Sequence, residues 1–191
     1  MLEAFPKELR QDVLAVRSIL FKEYKESEED ILLKETAEKI TYRLLDGQEI
    51  SFPYRIYNLD VYDRCSDRFT PEQRMICHCL FTRSDDGFVR ERHGRAILKE
   101  GCPDWAVPYL VKLADEYVIQ ILQCIYDGWR ELDTEAVRDF CRLNRRSLLR
   151  SYDRMVSYWN EYYREEYPHL EDYVGEKLFR RCFGYPYDGS R

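Results

Sequence analysis

The sequence predicts a mainly α-helical domain, a helical bundle or short α-solenoid-like array, carrying one β-hairpin at about residues 39–57. Three observations predict it. Apolar residues recur at helical spacing over most of the chain, helix-start and helix-stop residues punctuate those runs, and the pattern switches to period two only once. With 191 residues, of which 45% are hydrophobic and 35% charged, one domain spanning 1–191 can bury a core without metal or disulfide support.

The elements follow in order. Pro6 to Tyr24 reads as an amphipathic helix, with Val13, Leu14, Val16, Ile19, Leu20 and Phe21 near one side and Pro6 in the first turn, where its missing N–H costs nothing. The acidic stretch Glu26 to Asp30 is expected to be an exposed connection. Ile40 to Leu44 is β-branched and aromatic, Asp46-Gly47 is a turn signal, and Ile50 to Tyr57 alternates. Pro53 cannot donate to a ladder, so the second strand is an edge or breaks there. Thr70, Pro71 and Gln73 are the N-cap, N1 and N3 of a helix reaching about Thr82. A second helix covers Phe88 to Lys99. A long helix is expected from Trp105 to Trp129, another from a cap at Asp133-Thr134 to Tyr163, and a last from Leu170 to Phe183, stopped by Gly184. Tyr185 to Arg191 reads as a loose tail.

Residues 86–127 resemble a HEAT-type helical repeat. Asp86-Gly87-Phe88-Val89-Arg90 forms the turn and helix start, Ala96-Ile97-Leu98 follows, and Trp105-Ala106-Val107-Pro108-Tyr109-Leu110 opens a second helix. The match covers one repeat, whereas a solenoid stacks three or more. The resemblance implies a helical hairpin and a binding surface rather than a reaction.

Composition narrows function. The net charge of −6 argues against wholesale nucleic-acid binding, which needs a cationic field. The 16 tyrosines suit a thick, partly polar core. Seven cysteines, an odd number, combine with a charged amphipathic N-terminus that does not read as a secretory signal. A reducing, cytoplasmic setting with mostly buried free thiols is expected. No apolar run approaches the roughly 20 residues needed to span a bilayer, so no membrane partner is expected.

Cys77-His78-Cys79, with Cys65, His93 or Cys102, is the one candidate metal cluster. On a helix Cys77 and Cys79 point about 200° apart, and no C-x2-C pair occurs, so neither metal nor cofactor is expected. No phosphate-binding glycine loop, H-E-x-x-H helix or G-x-S-x-G elbow occurs either.

Two arginine groups remain as candidate anion or partner sites. Arg83, Arg90, His93 and Arg95 surround a helix start, with Arg92 beside them. They could hold a phosphate or carboxylate, or form local ion pairs such as Asp86 with Arg90 on a surface helix. Arg138, Arg142, Arg146, Arg150 and Arg154 recur every four residues, a slowly winding cationic stripe. Like charges at that spacing repel, so an internal acid, a partner or an anionic ligand should offset them. The opposite side carries Val137, Cys141, Asn144, Leu148 and Met155, and a buried Asn144 needs a hydrogen-bond partner.

These features predict a non-enzymatic intracellular binding or adaptor protein whose helical surface meets another protein or a second copy. The alternative is an enzyme or sensor for an anionic or phosphorylated ligand held by arginines. A third reading is a nucleic-acid-associated regulator. Arg90, His93 and a stripe arginine in one pocket favour the second; an exposed uninterrupted stripe favours the third. Arginines paired with acids, plus an apolar patch elsewhere, favour the first.

Overall fold

The computed structural model describes residues 1–26, 34–129 and 134–186. Within them it is mainly helical with a single two-stranded antiparallel hairpin, as the sequence patterning predicts. Ser27 to Asp30 of the acidic connection, Asp133 and residues 187–191 lie outside the described residues.

A short 3-10 turn, Lys7–Leu9, leads into α1, Arg10–Glu26, which buries Val13, Val16, Leu20 and Tyr24. The hairpin pairs β1, Lys39–Arg43, with β2, Glu49–Pro53. Its register sets Tyr42 opposite Ile50 and Ile40 opposite Phe52. Gly47 turns the chain at φ +88°, a conformation that costs other residues a Cβ clash. The buried face carries Tyr42, Ile50 and Phe52.

The expected continuation of the second strand to Tyr57 is corrected: β2 stops at Pro53. Beyond it the chain makes isolated bridges, Ile56 pairing with Glu35 on one side and Ser84 on the other. The Ile56 N–H donates to the Arg83 carbonyl and the Asp85 N–H donates to the Ile56 carbonyl. Tyr54 and Arg55 are thereby fixed beside the corner that follows α3.

After α2, Tyr62–Cys65, helix α3 spans Pro71–Phe81 and opens with the expected capping box between Thr70 and Gln73. Helix α4, Gly87–Glu100, is capped by Asp86, whose carboxylate accepts from the Phe88 N–H at 2.8 Å. Helix α4 packs against both α3 and α6.

The single helix expected over Trp105–Trp129 is also corrected. A 3-10 turn, Asp104–Ala106, precedes α5, Val107–Leu113, and the chain leaves the helix before α6, Ile119–Gly128. The cause is tertiary. Lys112, Asp115 and Glu116 are buried at and beyond the end of α5, each ion-paired inside the protein, and those pairs outweigh helix continuity.

The helix expected to reach Tyr163 breaks as well. Helix α7, Thr134–Leu143, and α8, Arg145–Tyr158, meet at Asn144, and a π-helical turn, Trp159–Tyr163, follows. The Asn144 amide clamps the hairpin. Its Oδ1 accepts from the Arg43 N–H at 2.8 Å, and its Nδ2 donates to the Arg43 and Phe140 carbonyls at 2.8 and 2.9 Å.

The last segment divides into a 3-10 turn, Leu170–Asp172, helix α9, Val174–Lys177, and a π-turn, Leu178–Cys182. Gly184, at φ +75°, ends it as expected. Tyr185, expected in a loose tail, is instead packed, stacking on Tyr152 with ring centroids 4.0 Å apart. No helix among the described residues is long and apolar enough to cross a membrane. All seven cysteines are free thiols, six of them buried.

Candidate functional site

The breaks in the expected helices converge on one feature, a buried cluster of charge. Arg55 comes from the segment after β2, Arg83 from the turn after α3, Arg90 from α4, Lys112 from α5 and Glu116 from the turn beyond it. Glu116 accepts from Arg55 Nη2 through both oxygens, at 2.8 and 2.7 Å, from Arg90 at 3.2 Å and from Arg83 at 3.4 Å. Burial alone pushes the Glu116 carboxyl upward, yet Arg55, Arg90 and Arg83 together hold it below its ordinary range. Asp115 takes Lys112, the Ser151 hydroxyl at 2.9 Å and Arg154 at 3.2 Å.

The two carboxylates do not balance the cations around them. Among the described residues, Arg55, Arg83, Arg90, Lys112 and Arg154 form ion pairs only with Asp115 and Glu116. Arg83 is fully buried, and among the described residues its Nε and Nη1 have no hydrogen-bond partner; the Nε of Arg90 has none either. Burial depresses Arg83 to about 10 and Lys112 to about 8, with Glu116 and Asp115 respectively opposing that shift. The Tyr54 ring absorbs part of the excess. Arg55, Lys112 and Arg154 lie 4.6, 4.6 and 5.2 Å from its centroid, and Arg154 also donates to its hydroxyl at 3.1 Å.

Two concavities flank the cluster. A pocket of about 200 Å³ between the hairpin and α8 is lined by Tyr54, Lys112, Ser147, Arg150, Ser151 and Arg154, among others. A wider groove of about 620 Å³ lies between the Tyr57–Asp60 segment and the start of α4. Its rim carries Phe88, 85% exposed, with Tyr57 at 52% and Leu59 at 47%. Asp60, Asp85, Asp86 and Arg92 also line it. Arg90 holds its floor, donating to the Ser84 and Asp85 carbonyls at 2.9 and 2.8 Å.

Behind this groove runs a carboxylate–imidazole–imidazole–carboxylate chain. Asp60 meets His93 Nε2 at 2.8 Å, the two Nδ1 atoms of His93 and His78 lie 2.8 Å apart, and His78 Nε2 is 3.4 Å from Glu100. Three such hydrogen bonds need three ring protons, one more than two neutral imidazoles carry. Burial and the neighbouring His93 lower His78 to about 4 against the pull of Glu100. Burial would raise Asp60, but His93 and Arg92 hold it near 2. A third ring proton, which makes one imidazole an imidazolium, completes all three bonds, and the 3.4 Å contact to Glu100 is the longest of them.

The structure thus places the sequence candidates differently from one another. Arg83, Arg90 and His93 lie inside the protein, not on a surface helix start, and the expected Asp86–Arg90 pair gives way to the Asp86 cap and the Arg90–Glu116 pair. Arg95 stays at the surface, paired with Glu91 at 2.8 Å. The break at Asn144 interrupts the stripe. Arg138 donates to the Arg181 carbonyl at 2.9 Å, Arg142 pairs with Asp139, Arg146 is exposed, and only Arg150 and Arg154 reach the pocket. Cys77 and Cys79 are buried at helical positions flanking His78, whose ring turns to His93 instead. Sequence reasoning missed Tyr54, Arg55, Asp60, Lys112, Asp115 and Glu116. The signal was available in the last three, charged residues set inside the most apolar stretch of the chain.

Comparison of the chain with protein-family models, with curated proteins and with solved structures finds no match.

Proposed function

We propose that this chain is a protein-binding module whose groove beside α4 takes a basic, apolar-flanked segment of a partner protein. One observation carries the reading: Phe88 projects into solvent at 85% exposure, across the groove from Tyr57 and Leu59. An unpaired large aromatic costs solubility, and grouped exposed aromatics mark interaction surfaces. Charge complementarity selects the occupant. The exposed carboxylates of Asp85 and Asp86 line the groove, beside Asp60, which His93 and Arg92 already hold. A lysine or arginine of a partner fits between these acids while a neighbouring apolar side chain meets Phe88. The overall charge of −6 favours the same class of partner during encounter. The free, mostly buried thiols support a cytoplasmic setting.

The test is selection of peptides from a random display library on the full chain, followed by affinity measurement on Phe88→Ala. Enriched peptides should carry Lys or Arg next to an aliphatic or aromatic residue, and should bind the variant at least tenfold more weakly. Peptides that bind Phe88→Ala as tightly as the parent would overturn the reading. So would concentration-dependent dimerisation of the parent that Phe88→Ala abolishes, which would assign the patch to a second copy.

A further inference from the structure

We propose that the pocket between the hairpin and α8 is a binding site for a small dianion of the phosphate class, either the free ion or a compact phosphate monoester. The proposal stands apart from the groove and rests on three observations about the pocket itself.

The first is its size. At about 200 Å³ the pocket is below the range that houses drug-sized ligands or peptide side-chain clusters, and suits a compact ion with little attached.

The second is its donor set. Arg150 and Arg154 stand one turn apart on α8 and both line the pocket, with the Ser147 and Ser151 hydroxyls between them and Lys112 behind. Among the described residues Arg150 reaches only the Ser147 hydroxyl, at 3.4 Å, leaving most of its five N–H donors for a ligand. Arg154 already bridges Tyr54 and Asp115 through Nη1, so its position is set before any ligand arrives. Two guanidiniums with flanking hydroxyls match the geometry of a phosphate's oxygens.

The third is the charge imbalance behind the pocket wall. Lys112 and Arg154 belong to the buried cluster in which five cations meet Asp115 and Glu116, and Arg83 keeps two unpartnered N–H positions. Buried charge is tolerated when it is paired. A dianion in the pocket supplies part of the missing negative charge within a low-dielectric wall, where it acts at its strongest. Two carboxylates also line or border the pocket. Asp115 is occupied by Lys112, Ser151 and Arg154, and Glu38 is exposed at the rim, so neither blocks an anion from the arginine side.

Isothermal titration of the full chain with sodium phosphate, in chloride buffer at matched ionic strength, tests the site. The expected result is saturable binding of one phosphate per chain. Arg150→Gln, at an exposed position, should keep the parent's circular dichroism and bind at least fivefold more weakly. Arg142→Gln, on the same stripe but paired with Asp139 outside the pocket, should bind like the parent. A parallel titration with O-phosphoserine separates the two sources: tighter binding than inorganic phosphate assigns a monoester, weaker binding the free ion. The proposal is overturned if neither compound gives saturable heat up to 10-millimolar order (about 10 mM, where affinity falls below about 3 kcal/mol). It is equally overturned if Arg150→Gln binds like the parent, or if Arg142→Gln loses as much as Arg150→Gln.

Discussion

Replacing Glu116 by Gln removes the one carboxylate that the buried Arg83 and Arg90 share with the partly buried Arg55, while nearly preserving shape. In the parent, Arg55, Arg83 and Arg90 lie within 3.4 Å of its oxygens, and Glu116 is almost fully buried. The amide keeps one oxygen to accept with, but its NH2 faces guanidinium donors. Breaking a buried ion pair from one side costs about 3–5 kcal/mol, because the partner's charge stays in the interior. For a domain of this size, about 2–4 °C of melting temperature goes with each kcal/mol, so the midpoint should fall by about 6–20 °C. Urea denaturation read by circular dichroism is the assay, and with a slope near 2 kcal/mol/M the midpoint should drop by about 2 M. The carboxyl is held below its ordinary value in the folded state. Its stabilisation is therefore present above the unfolded-state pKa of about 4.3 and lost as pH falls through the lower folded value. The variant should lack that acid limb. A companion change, Arg83→Met, removes a side chain whose Nε and Nη1 have no partners, and should cost less than Glu116→Gln. If Glu116→Gln melts within 2 °C of the parent (below about 1 kcal/mol), or Arg83→Met proves the more damaging, this account of the cluster fails.

Two further predictions concern the clamp and the imidazole pair. Asn144→Ala should destabilise by about 2–4 kcal/mol in the same urea assay, since three hydrogen bonds go and the Arg43 backbone groups lose their partner; an effect below about 0.5 kcal/mol, the scale of an ordinary surface change, would refute the clamp. His78 is lowered in the folded state to about 4, so the unfolded chain takes up a proton first and stability should decline as pH falls from about 6.5 towards 4. His78→Asn should flatten that slope, and proton NMR of the His78 ring should show no titration near 6.5; a ring that titrates at its ordinary value would contradict the buried chain.

Much of the fold was legible in the sequence because the signals are local. The Thr70–Gln73 capping box, the Asp46-Gly47 turn and the stop at Gly184 each depend on a few adjacent residues, and each stands where those residues predict. The breaks at residues 114–118 and at Asn144 were not legible, because both are imposed from elsewhere in the chain. Asp115 and Glu116 turn inward because Arg55, Arg83, Arg90 and Arg154 are brought to them by four other segments, beside Lys112 of their own. The site residues divide along the same line. Arg150 and Arg154 were visible as part of a periodic stripe. Tyr54 and Arg55 lie in an alternating stretch that reads as strand, which hides an inward-facing site, and Asp60 sits in irregular chain with no periodicity to single it out. His93 was noticed as a neighbour of arginines, whereas its real partners, His78 and Asp60, lie 15 and 33 residues away in sequence.

The Asn144 clamp also has a consequence for the order in which the molecule assembles. Its bonds to Arg43 join residues 101 apart in sequence, whereas every pair within the hairpin ladder closes a short loop. A two-stranded ribbon alone is marginal in water, so the strands can meet early and part again many times. The Asn144 bonds can be added only once the junction of α7 and α8 has formed and reached the hairpin. On a ribosome that junction emerges about 100 residues after the hairpin, which at about 5–20 residues per second leaves β1 and β2 waiting for several seconds. During that interval an unpinned strand edge is open to other chains, and exposed charges on the strands, such as the paired Glu49 and Arg43, disfavour such pairing.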